Sequence, residues 1–129
     1  MKTVCISYAN IKALHPCADQ LRKVRRLFGK RKRMVVTAKL AVALASRFNF
    51  GCLARKTLKA QAWQAFDAAM APAWRAYKVA SAQAYDVAMG QIYDAAMALA
   101  RQAYNAAKAQ AWARCYIKQQ KRASNAKTR

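Results

Sequence analysis

The side chains able to do covalent or acid–base chemistry in this 129-residue chain are few and scattered. Asp19, Asp67, Asp86 and Asp94 are its carboxylates, and Glu is absent. A carboxylate pair working as general acid and base needs both groups on one face, at helical spacings of three, four or seven, or brought together by the fold. Asp86 and Asp94 are eight apart, which turns their side chains about 80° from each other around a helix. They read as solvated positions that relieve a basic surface. His15 and Cys17 do not share a helix face, so a nucleophile and its base would require a special loop geometry there. His15 reads instead as a cap or a partly buried ring. Zinc needs four convergent ligands, and His15 with Cys5, Cys17 and Cys52 is the one conceivable set in the first half, at irregular spacing. No glycine-rich phosphate loop occurs. The chain therefore reads as a non-enzyme, with no catalytic residue, no metal site and no cofactor.

What remains is charge. Twenty-five Lys and Arg oppose four acids, for a net charge of +21. Self-repulsion on that scale calls for counterions or an anionic partner: nucleic acid, an anionic membrane surface or an acidic protein. The densest run contains Arg22, Lys23, Arg25, Arg26, Lys30, Arg31, Lys32 and Arg33. It starts on a helix face and continues past the helix end into a loop, a form that could follow a phosphate backbone. Arg47, Arg55, Lys56 and Lys59 extend the patch, and Lys118, Lys121, Arg122, Lys127 and Arg129 form a basic tail that adds affinity without sequence choice. About eight engaged bases would give a slope near −7 for the logarithm of duplex affinity against log salt.

The elements that must carry these bases divide near residue 60. Up to Lys59 there are 15 bases against one acid, and after it ten against three. Residues 1–58 form a basic helical head, 59–121 an alanine-rich helical arm and 122–129 a disordered basic tail. In the head, Pro16 suits a first helical position and Gly29 the left-handed residue that closes a helix, so 16–28 reads as one helix. Its apolar positions Cys17, Leu21, Val24, Leu27 and Phe28 recur at spacings of three and four. Thr37 caps a further helix over about 38–48, and Phe50, Cys52 and Leu53 begin a short fourth. Val4–Ile6 and Met34–Val36 are β-compatible and could pair as a minor two-stranded ribbon. The four cysteines, with no CxxC pair, read as reduced and mostly buried.

In the arm, an aromatic residue followed by Asp, Asn or Lys recurs at Phe66, Tyr77, Tyr85, Tyr93 and Tyr104, spaced 11, 8, 8 and 11. Alanine favours helix throughout. Pro72 is the first expected break and Gly90 the second, so the arm is either one long rod or a hairpin. Aromatics recurring among alanines read as a packing seam, against another helix or a second copy of the chain in a homodimer.

Leu14, Cys17, Leu21, Phe28-Gly29, Thr37, Ala41, Ala45, Phe48-Asn49-Phe50, Ala54, Leu58 and the repeat-like Ala71-Pro72-Ala73-Trp74-Arg75-Ala76-Tyr77 resemble a family of small phage and prophage proteins. That family pairs a short helical head with alanine-rich undecapeptide repeats, and the resemblance covers most of residues 7–80. It implies phage origin and helical architecture, though relatives carry Glu where Arg75 and Lys78 stand here. The expected fold is all-α, a small helical head followed by a long alanine-rich helix or helical hairpin. The expected function is a phage accessory protein binding DNA or RNA electrostatically, without strong sequence specificity. One alternative is an anti-defence inhibitor, of anti-CRISPR type, bound to a host nuclease complex or its guide RNA. Another is an anionic membrane-surface binder, disfavoured because the alanine face is weakly apolar. With neither a signal peptide nor an apolar run long enough to span a bilayer, the expected location is the cytoplasm of a bacterial host.

Overall fold

The computed structural model describes residues 4–14, 18–87 and 91–128. The expected ribbon forms, shifted by one residue: β1 (Cys5–Ser7) runs antiparallel to β2 (Arg33–Val35), with Ile6 opposite Met34. Bonds from Val36 N–H to the Val4 carbonyl (2.7 Å) and from Tyr8 N–H to the Lys32 carbonyl (3.1 Å) continue the pairing at both ends. Side-chain alternation along a strand turns Ile6 inward and leaves Cys5 exposed, contrary to the burial expected of the thiols.

Between the strands lie α1 (Tyr8–Ala13) and α2 (Ala18–Phe28). Sequence periodicity does not announce α1, which has only six residues; Ser7 caps it by accepting the Asn10 N–H at 3.1 Å. The start proposed for α2 at Pro16, with His15 and Cys17 beside it, lies outside the described residues. Val24 and Phe28 are buried while the bases of α2 stay exposed, so the amphipathic division holds. Gly29 ends the helix with φ +56° and donates its N–H to the Arg25 carbonyl at 3.0 Å. A Cβ there would touch nothing within 4 Å. Gly29→Ala is therefore expected to lower stability by backbone strain alone, about 1–2 kcal/mol in thermal unfolding, and Gly29→Asn by less.

Thr37 caps α3 (Ala38–Ala43), its hydroxyl oxygen accepting the Leu40 N–H at 3.0 Å. The helix stops five residues before the expected end at 48 and gives way to a turn at 44–47. Asn49 then caps α4 (Phe50–Thr57), its side chain accepting the Cys52 N–H at 3.1 Å, and donates its own backbone N–H to the side-chain amide oxygen of Gln20 on α2 at 3.2 Å. The early stop has a packing reason. On one continuous helix Phe48 and Phe50 would point about 200° apart, whereas here both join the core with ring centroids 6.3 Å apart.

The alanine-rich half folds as a hairpin of α5 (Ala60–Val87) and α6 (Gln91–Thr128). Trp74 and Tyr77 both meet Tyr104, at 5.7 and 5.5 Å, and Tyr85 meets Tyr93 at 6.4 Å, which fixes the two helices as antiparallel. Pro72 does not break α5, correcting the expectation. Its ring lies on the exposed face among alanines, so the carbonyl left unbonded can be hydrated, while buried Phe66 and Met70 hold the preceding turns on the core. Gly90, the second expected break, lies outside the described residues, between α5 and α6. Helix α6 also runs on to Thr128, through the segment expected to form a disordered tail.

Head and arm do not have separate cores. One apolar cluster joins Ile6, Val24, Phe28, Val36 and Phe50 of the head to Phe66 and Met70 of α5 and to Ala109, Trp112 and Tyr116 of α6. A polar clasp reinforces the join. The Trp112 indole N–H donates to the Thr57 hydroxyl (2.9 Å), which donates to the Leu53 carbonyl (2.7 Å). The Gln119 amide accepts the Lys59 N–H at 2.7 Å and donates to the Thr57 carbonyl at 2.9 Å, bridging the break between α4 and α5.

Candidate nucleic-acid interface

Two concave grooves gather cations from distant parts of the chain. The first lies between α2 and the 44–47 turn, with a volume of about 540 Å³, and is lined by Lys23, Arg26, Leu27, Ser46, Arg47 and Phe48. Lys23 and Arg26 are three apart on α2, hence neighbours on one face, and Arg47 faces them from the turn. The second groove, about 450 Å³, runs between the start of α5 and the last turns of α6. Its cations are Lys59, Arg114, Lys118 and Arg122. The three on α6 repeat every fourth residue, making a stripe with successive charges about 6 Å apart along the axis. The Gln61 side-chain oxygen accepts a hydrogen bond from the Arg122 guanidinium at 3.0 Å and so holds that end of the stripe in place.

Of the seventeen bases singled out from the sequence, six line these grooves: Lys23, Arg26, Arg47, Lys59, Lys118 and Arg122. Arg22 is instead paired with Asp19 one turn earlier, both side chains being largely exposed; such a pair contributes little to stability. Arg25 is exposed on α2. The run from Lys30 to Arg33 is not a free loop: Arg31 N–H bonds the Phe28 carbonyl, Lys32 accepts from Tyr8, and Arg33 opens β2. Its side chains are exposed, but its backbone is spoken for by the turn and ribbon. Arg55 and Lys56 sit exposed in the last turn of α4, and Lys121 is exposed on α6 without lining the groove.

Arg114 escaped sequence reading, although its spacing of four to Lys118 and eight to Arg122 marks one helix face. Arg47 was visible only as an extension of the patch. Its place opposite Lys23 and Arg26 depends on the early end of α3, which periodicity does not reveal.

The other chemistry-bearing residues remain dispersed. Asp67, Asp86 and Asp94 are exposed. Among the described residues no three His, Cys, Asp or Glu side chains gather in a way that could hold a metal ion; His15 and Cys17 lie outside that set. Cys52 and Cys115 are half-buried and unbonded to each other, and burial raises the Cys115 thiol pKa against the opposing pull of Lys118. The arm aromatics mostly pack: Phe66, Trp112 and Tyr116 are buried, and Trp74 stacks on Tyr77, whereas Tyr85 is 72% exposed.

Lys108 stands apart from the groove cations. It is half-buried on α6, lies over the Tyr104 ring at 5.1 Å, and passes close to Gly51 of α4. Burial, and then the Arg55 guanidinium, lower its pKa. A lysine whose folded pKa lies below its unfolded one costs stability while both states are charged. The cost fades as pH rises through the folded value toward the ordinary Lys range. Lys108→Met is thus expected to raise the melting temperature at neutral pH, modestly because the side chain is partly open to solvent. The gain should shrink near pH ~10. A lower melting temperature at neutral pH would mean that the ring contact outweighs the cost of burial.

No described helix is long and apolar enough to cross a membrane. Comparison with protein-family models, curated proteins and solved structures gives no match.

Proposed function

We propose that this chain is a non-catalytic, phage-derived accessory protein that binds nucleic acid through its phosphate backbone, without strong sequence specificity, in the cytoplasm of a bacterial host. One observation carries the reading: seven cations from four parts of the chain line two concave grooves, and among the described residues no carboxylate lines either. Idle solvated bases on convex faces would minimise their mutual repulsion. Gathering them in grooves raises the local positive potential, which favours a polyanion in the grooves.

The test is to purify the full chain from cells at low salt and follow the 260/280 nm absorbance ratio before and after nuclease treatment. Co-purifying nucleic acid that nuclease or high salt removes supports the reading. A protein free of nucleic acid that also fails to bind added duplex or single strands at low salt would overturn it. Recovery with a host nuclease complex instead of bulk nucleic acid would favour the anti-defence reading.

A further inference from the structure

We infer that the groove between α2 and the 44–47 turn is a nucleotide subsite for single-stranded nucleic acid, in which Lys23, Arg26 and Arg47 hold a phosphate and the Phe48 ring supports the attached base. The inference rests on the nucleic-acid reading and adds to it a place for a nucleotide of an unpaired strand. The two grooves differ in a way that bears on this. Among the described residues, that between α5 and α6 offers cations and amides but no aromatic ring, so it can follow a backbone but gives a base nothing to stack on. The α2 groove combines three cations with the Ser46 hydroxyl and an apolar floor of Leu27 and Phe48.

Phe48 is half-buried: its ring meets that of Phe50 in the core with centroids 6.3 Å apart, and the residue also lines the groove. A half-buried aromatic ring that contacts the core and also borders a cationic groove offers a surface on which a base can stack. Stacking is available only to a base whose face is free, as in a single strand, because a duplex keeps its base faces inside the stack. Among the described residues, Lys23, Arg26 and Arg47 have no ion-pair partner; the ion pair formed on α2 engages Arg22. The groove volume of about 540 Å³ lies within the range that accommodates nucleotide-sized ligands.

The full chain is titrated with a labelled thymidine strand of roughly ten nucleotides and with a duplex of equal length at one fixed salt concentration. Phe48→Leu, which keeps an apolar side chain against Phe50, is expected to weaken single-strand binding about fivefold or more and to leave duplex binding unchanged, while Phe48→Tyr keeps both. Equal losses on the two ligands, or no loss on either, overturn the subsite. Should Phe48→Leu not fold, ultraviolet cross-linking of the thymidine strand to the wild-type chain serves instead. Cross-links at Phe48 or its neighbours support the subsite, and cross-links confined to the α5–α6 groove overturn it. Salt-dependent binding of both ligands with no Phe48 effect removes the subsite alone, whereas no binding of either removes the nucleic-acid reading as well.

Discussion

Truncating Trp112 to alanine is expected to destabilise the fold by roughly 3–5 kcal/mol, a large share of the total stability of a chain this size. Trp112 is 4% exposed. Its ring stacks on Tyr116 at 5.1 Å and meets Phe50 at 5.4 Å, and it lines a partly open apolar pocket of about 70 Å³ in the head. Removing the ring would deepen that pocket and strip contacts from Phe50 and Tyr116, and removing the indole N–H would leave the Thr57 hydroxyl without that donor at the clasp. Trp112→Phe separates the two contributions: it keeps most of the apolar area and loses the hydrogen bond, at about 1 kcal/mol. Thermal or urea unfolding reads both. A Trp112→Ala variant that melts like the wild type would mean that the head and hairpin do not depend on each other.

The second large effect concerns binding. Replacing Arg114, Lys118 and Arg122 together by glutamine keeps good helix formers on an exposed stripe, so the fold should persist. Duplex affinity at about 0.1 M salt should fall on the order of a hundredfold or more, and the slope of log affinity against log salt should flatten by about 2.7, since each lost phosphate contact contributes about 0.9. The matched control removes the same charge elsewhere. Arg75, Lys78 and Arg101 lie exposed on the hairpin and line neither groove, so changing all three to glutamine should alter affinity far less. Equal losses in the two triple variants would place the binding in net charge rather than in the grooves.

Local signals in the sequence translate well into structure where one residue decides the geometry. Gly29 closes α2 and Thr37 opens α3 because a left-handed φ and a side-chain cap are satisfied within four residues. Pro72 misleads for the converse reason: its cost is local, but packing of the turns around it against α6 outweighs that cost. The division into head and arm follows composition, yet Trp112, 54 residues beyond the expected boundary at 58, completes the head's core. The grooves are the least legible feature. Lys23 and Arg26 are marked by the basic run, but Arg47 joins them only because α3 ends early. Lys59 likewise meets Arg114, Lys118 and Arg122 only through the hairpin, and no spacing rule links residues so far apart.

The most direct measurement is the salt dependence of duplex binding by the full chain, followed by fluorescence anisotropy across about 50–200 mM monovalent salt. Seven groove cations engaging phosphates give a slope of about −6, and the glutamine triple variant a slope of about −3 to −4. Binding that does not weaken with salt, or a wild-type slope no steeper than that of the triple variant, would contradict a phosphate-gripping role for the grooves.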